Sequence, residues 1–146
     1  MPCAETECKE MTEQENYAYE IEGGYPVIGE IRCLGAKNFV IKAMVAALLG
    51  NTPTTLTNVP PIGDVEITAE MLTSIGVTVQ RADNEVLAID ASTMNTAAIP
   101  VPHSGSNRTP ILLLSILLHH FDTVSVPVDG GCHIGARSVD FHLDAI

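Results

Sequence analysis

The sequence has no tryptophan, and tyrosine and phenylalanine contribute only three residues each. Any core therefore has to be assembled from Val, Ile, Leu, Met and Ala. That is feasible, because 46% of the 146 residues are hydrophobic and the mean hydropathy is +0.23, well outside the disordered range. Cations are scarce as well: seven Lys and Arg stand against 18 Asp and Glu, a formal net charge of −11. A surface this acidic repels phosphate backbones and anionic lipid, which argues against nucleic acid or a membrane surface as a partner. An anionic small molecule fits such a balance only if the few cations gather at one place. Long apolar runs are missing too. The longest near-apolar run, 111–118, is too short to span a bilayer.

The opening MPCAETECKEMTEQE has neither the basic nor the apolar region of a signal peptide. Cys3, Cys8, Cys33 and Cys132 show no zinc-ligand spacing and the histidines are scattered, so neither a metal site nor a disulfide framework is expected. A reducing, cytoplasmic setting suits this cysteine usage.

Residues 1–16 carry Glu5, Glu7, Glu10, Glu13 and Glu15 against Lys9 without periodicity, and are expected to form a disordered acidic tail. Alternation predicts strands at Tyr17–Ile21 and Val27–Leu34, on either side of Gly23-Gly24. Lys37–Leu49, KNFVIKAMVAALL, is apolar almost all round and predicts a buried helix. A short strand follows, with Thr54, Leu56 and Asn58 alternating. Asp64 is placed to cap a second helix with Val65, Ala69, Leu72 and Ile75 on one face and Gly76 at its stop. Val77–Gln80 and Glu85–Asp90 predict a hairpin around Ala82–Asn84.

The pattern then returns. Gly105 begins a second stretch of glycine, polar residues and apolar helix (ILLLSILL), followed by alternating Val124, Val126 and Val128, a glycine loop and a helix start at Ser138-Val139-Asp140. Gly35 and Gly105 stand 70 residues apart, which suggests internal duplication: a first α/β unit over 35–102 and a second, incomplete one over 103–146. A helix ending at Ile146 would keep little of its buried face, so a fragment, or one half of a split protein, is expected.

The stretch GGCHIGARSVDFH (130–142) puts a thiol among Gly130, Gly131 and Gly135 with Arg137 nearby. Cys132 can be an inert loop cysteine, or an exposed thiol whose thiolate Arg137 favours. Lys37 and Arg108 stand at equivalent places at the starts of two apolar helices, where N-terminal amides favour anions. Surface charge is the alternative reading for each. Ser138 and Asp140 suit a helix start with or without a ligand. His119, His120 and Asp122 close an apolar helix, where histidines suit the dipole, and no functional role is assigned to them.

Three motifs in order, GEIRCLGAKN (29–38), LTNVPPIGDVE (56–66) and GGCHIGARSVDFH, resemble the N-terminal part of the enolpyruvyl transferases. The likeness is to the branch that moves the enolpyruvyl group of phosphoenolpyruvate onto the 3′-hydroxyl of UDP-N-acetylglucosamine, beginning peptidoglycan precursor synthesis. The shikimate-pathway branch shares the fold but lacks the cysteine loop. The resemblance implies an inside-out α/β barrel of repeated βαβαββ units, truncated here in the second repeat, with residues 17–34 supplying strands to the other lobe. It implies a cytoplasmic enzyme of cell wall biogenesis that needs no cofactor or metal and is completed by the remainder of the enzyme or a second chain.

By that resemblance Cys132 is the general acid that protonates phosphoenolpyruvate and is the thiol alkylated by fosfomycin. Lys37 binds phosphoenolpyruvate, Arg108 and Arg137 lie near it and the nucleotide sugar, and Asn38 holds the sugar nucleotide or orients the reacting groups. Ser138, Val139, Asp140 and Phe141 stand where the family holds the uridine end. The family's catalytic aspartate belongs to a later part with no counterpart in this sequence. Ser138 and Asp129 replace usual prolines, and Arg108-Thr109-Pro110 replaces the usual Arg-Ala-Ser. These departures keep open a paralogue with another nucleotide acceptor, alongside a non-catalytic substrate-binding or partner lobe.

Overall fold

A computed structural model describes residue 18 and residues 20–100, 108–127 and 138–146. The acidic tail expected over 1–16 lies outside the described residues. The chain divides into two units, residues 1–31 and Arg32–Ile146.

Residues 20–34 belong to no helix or strand, so the strand expected over Val27–Leu34 does not form, and the one expected over Tyr17–Ile21 falls partly outside the described residues. Alternation supplies the side chains of a strand but not its neighbour, and a strand exists only when its N–H and C=O groups find one. The apolar half of the pattern is left in water: Val27 is 96% exposed and Ile28 89%.

The second unit packs helices against a three-stranded antiparallel sheet. Helix α1 (Lys37–Ala46) runs into a 3₁₀ turn at Ala47–Leu49. Strand β1 (Thr54–Leu56), helix α2 (Gly63–Ser74) and the hairpin β2 (Thr78–Asp83) and β3 (Val86–Asp90) follow. Helix α3 (Thr109–Leu117) and the short α4 (Asp140–Asp144) complete the elements. The sheet order is β1-β3-β2, with Thr54 opposite Ile89 and Gln80 opposite Ala88. Period-two alternation turns Leu87 and Ile89 of β3 inward. They join Met44 and Leu48 from the first helical stretch, Leu72 from α2, and Leu113 and Leu117 from α3 in one apolar cluster. α1 is not buried all round, because Phe39 is on its outer side and exposed.

Local chemistry moves several predicted boundaries. The hairpin turns at Asn84-Glu85 rather than across 82–84, because the Arg81 guanidinium donates to the Asn84 carbonyl at 2.8 Å and Asp83 Oδ1 accepts the Asn84 N–H at 2.6 Å. Asp64 does not cap α2. Ile62 occupies the cap position, and Asp64 lies in the first turn with its carboxylate turned to another helix. Gly76 does stop α2, at a φ of +89° that favours glycine, and an added Cβ there would strike Asn95 and the Thr93 carbonyl.

Of the strand expected at 124–128, the described residues 124–127 form one parallel bridge, between Ser125 and Ala98, and residue 128 lies outside the described residues. Ser125 donates to the Ala97 carbonyl at 3.0 Å and accepts from the Ile99 N–H at 3.0 Å. The next bond of a parallel ladder would be donated by residue 127, and Pro127 has no N–H.

Leu72 is fully buried in this cluster. Leu72→Ala is expected to lower stability by about 2–5 kcal/mol in chemical denaturation, the range for an aliphatic cavity. At the end of β3, the backbone N–H and then the side chain of Ser92 hold the Asp90 carboxyl below its ordinary value of 3.8. A depressed folded pKa gives stability that is present above the unfolded value and is lost as pH falls through the folded one. Asp90→Asn should therefore lose that contribution at neutral pH and flatten the acid limb of the stability–pH curve below about pH 4, so that thermal melts of the two proteins differ at about pH 7 and converge in acid.

Candidate functional site

Three helices that share one core also share an end. Lys37 is the first residue of α1, and its ammonium reaches Asp64 Oδ2 in the first turn of α2 at 2.5 Å. One turn further along α2, Thr68 donates to the Asp64 carbonyl at 2.7 Å and meets the Thr109 hydroxyl at 3.4 Å. Thr109 is the first residue of α3, and Arg108 holds the position before it. The starts of α1 and α3 thus both reach the N-terminal part of α2, with Lys37 opening α1 and Arg108 preceding α3. Thr68 and Thr109 are the buried polar residues among those described, at 0% and 2% exposure. Their mutual contact satisfies groups that would otherwise be costly to bury.

Helix starts suit anions. Each helix start directs unpaired backbone N–H groups outward with a partial positive charge, and two of the three here add a full one. Lys37 and Arg108 are not strictly equivalent: one opens its helix, the other precedes it. Pro110 fits the second position of α3, where no N–H is needed. Asn38 follows Lys37 in the first turn of α1, and its carbonyl accepts from the Lys42 ammonium at 3.0 Å.

The other described cations serve the scaffold. Arg32 pairs with both carboxylate oxygens of Glu85, at 3.2 and 2.5 Å, and Arg81 pairs with Glu66. Arg32 lies inside the GEIRCLGAKN motif yet clamps the hairpin turn.

Gly35 sets the approach to α1. Its N–H donates to the Asn58 carbonyl at 3.2 Å, and an added Cβ would drive into that same oxygen. Asn58 is itself left-handed, at a φ of +57°. The backbone before Lys37 is thereby pinned to the backbone leading into α2.

Cys132 and Arg137 lie outside the described residues. Ser138, Val139, Asp140 and Phe141 are described at the start of α4. Helix α4 begins at Asp140 with Val139 before it, and Ser138 Oγ accepts the Asp140 N–H at 3.1 Å. No residue of α4 is buried, and Phe141 is 86% exposed. The described contacts thus bring the starts of α1, α2 and α3 together, with Lys37 and Asn38 opening α1 and Arg108 preceding α3, and leave 138–141 as a local helix start. His120, at the opposite end of α3, has its ring Nε2 3.1 Å from the Leu48 carbonyl and ties two helix ends together. Asp64 and the Thr68–Thr109 contact were not foreseen as parts of the site. A lysine at the first position of a helix opposes the dipole, and that was the available signal that an acid had to lie near it.

A family model for EPSP synthase (3-phosphoshikimate 1-carboxyvinyltransferase) matches residues 21–146. The chain belongs to this family. The resemblance read from the three motifs is borne out by this match and by curated relatives. The UDP-N-acetylglucosamine 1-carboxyvinyltransferase of Protochlamydia amoebophila (strain UWE25) is 43% identical over 130 residues, covering 87% of this chain and 28% of the relative. The enzyme of the same name from Glaesserella parasuis serovar 5 (strain SH0165) is 38% identical over 125 residues, covering 86% of this chain and 30% of the relative. In fold, the chain is similar to the crystal structure of the enolpyruvyl transferase NikO from Streptomyces tendae. The TM-score is 0.59 at 24% identity, over 67% of this chain and 23% of that one. This family member therefore spans only 28–30% of the length of those two curated relatives.

Gly35→Ala is expected to cost about 1–3 kcal/mol, as overpacking does, in urea denaturation. The matched control is Gly23→Ala, whose added methyl meets nothing within 4 Å and should leave the midpoint in place.

Proposed function

We propose that these residues form the N-terminal section of a transferase that moves the enolpyruvyl group of phosphoenolpyruvate to the 3′-hydroxyl of UDP-N-acetylglucosamine. The observation that carries the reading is the corner where the starts of α1, α2 and α3 meet, with Lys37 opening α1 and Arg108 preceding α3. In a chain with a net charge of −11, that is the place suited to a small ligand bearing a phosphate and a carboxylate. The names of the relatives support the choice of donor and acceptor.

In this reading Lys37, Arg108 and Arg137 neutralise phosphoenolpyruvate, and Asn38 orients the sugar nucleotide. Cys132 delivers a proton to the methylene carbon while the acceptor oxygen adds to the adjacent carbon. The resulting tetrahedral ketal then expels phosphate, and the methyl group returns a proton to restore the enol double bond. Ser138, Val139, Asp140 and Phe141 hold the uridine end. The reaction needs no metal or organic cofactor, and its setting is the cytoplasm, at the head of cell wall precursor synthesis. The base that takes the acceptor proton comes from outside these 146 residues, so on their own they bind without turnover. Ser138 and Pro110 favour a second reading, the same transfer to a different nucleotide.

The test uses purified 1–146, phosphoenolpyruvate and UDP-N-acetylglucosamine. Phosphoenolpyruvate should bind by titration calorimetry, fosfomycin should add to Cys132 by mass spectrometry, and no phosphate should be released. Phosphate release by this chain alone would refute the need for a completing part. Failure to bind phosphoenolpyruvate, with a thiol indifferent to fosfomycin, would point instead to a non-catalytic lobe.

A further inference from the structure

Of the two charges in the Lys37–Asp64 pair, the lysine is the open one. Its side chain is 61% exposed and that of Asp64 27%. Asp64 is also the anchored one: it stands in the first turn of α2, where helix amides favour a carboxylate, and its carbonyl is fixed by Thr68 at 2.7 Å. Lys37 has the opposite problem. It opens α1, where a cation faces the positive end of the dipole, and α1 has neither an acid in its first turn nor a side-chain cap.

A lysine in this position costs stability unless an acid from elsewhere compensates for it. α2 carries two acids in its first turn, and Arg81 takes Glu66. Asp64 remains for Lys37, at 2.5 Å. The pair is not a general reinforcement of the surface, because exposed ion pairs contribute little. Its effect is on place. A four-carbon side chain with many rotamers is tied by this contact to the point where three helix starts meet.

We propose that Asp64 is a positioning residue: it holds the Lys37 ammonium at the meeting point of the three helix starts, ready for an oxyanion. The inference rests on the phosphoenolpyruvate reading above. It makes a prediction opposite to that of simple charge. Deleting a negative charge beside an anion site should strengthen anion binding if only the field matters. If Asp64 acts by fixing Lys37, deleting it should weaken binding.

The experiment titrates phosphoenolpyruvate, and inorganic phosphate as a second probe, into the full 146-residue chain and its Asp64→Asn, Lys37→Met and double variants. Circular dichroism melts confirm that each is folded. The expected result is a loss of about tenfold in affinity for Asp64→Asn, the size of one charge-assisted hydrogen bond. No further loss is expected when Asp64→Asn is added to Lys37→Met, because the carboxylate acts through the lysine. Asp64→Glu, which keeps the charge, should restore most of the affinity. A ligand-independent readout accompanies these: the rate at which trinitrobenzenesulfonate modifies Lys37, mapped by mass spectrometry, should rise severalfold in Asp64→Asn.

Wild-type binding with unchanged or tighter binding by Asp64→Asn overturns this inference and leaves the proposed function standing. An unchanged modification rate overturns it as well. A wild-type chain that binds neither probe overturns both together.

Discussion

The arrangement depends on one packing constraint: α1, α2 and α3 bury their apolar sides in a single cluster over the inner face of β3. Once Met44, Leu48, Leu72, Leu113 and Leu117 share that interior, their helices cannot slide independently, because interiors packed to crystal density tolerate little change of register. The contacts Lys37–Asp64 and Thr68–Thr109 show where this leaves the helix starts. The corner that gathers positive charge is thus a by-product of an uncharged interior. With no tryptophan and few other aromatics, that interior is aliphatic, and its fit comes from many small contacts rather than a few large rings.

Charge is spent sparingly in this acidic chain. Arg32 and Arg81 bind acids on the hairpin turn and α2 and stiffen the scaffold, while Lys37 and Arg108 stand at helix starts, where positive charge is electrostatically out of place. A protein accepts such placements where a ligand, or an acid on a neighbouring helix, compensates. The buried Thr68–Thr109 pair adds a polar contact that fastens α2 to α3.

Much of this could be read locally. The apolar stretches over 37–49 and 109–117, the face of Val65, Leu72 and Ile75, the hairpin and the stop at Gly76 all follow from periodicity and turn chemistry. Where the reading failed, the missing information was not local. Alternation at 20–34 says what a strand would look like, not whether a neighbour stands beside it. The alternation of Val124 and Val126 outweighed Pro127, although a proline at the bonding position of a ladder was visible from the start. Asp64 looked like a cap because it precedes an apolar face. Its actual partner is far back along the chain, and only packing brings the two together. Cys132 and Arg137 rest on their motif alone.

Gly35 carries no functional group, yet it governs the approach of one. Its backbone lies against that of Asn58, and the two segments so joined lead directly into Lys37 and toward Asp64. The spacing of a lysine and an aspartate on separate helices is therefore encoded by a hydrogen atom where every other residue has a carbon. During evolutionary drift, such a corner can be silenced with all its charged residues still in place, through a substitution that a catalogue of ligand-contacting side chains would overlook.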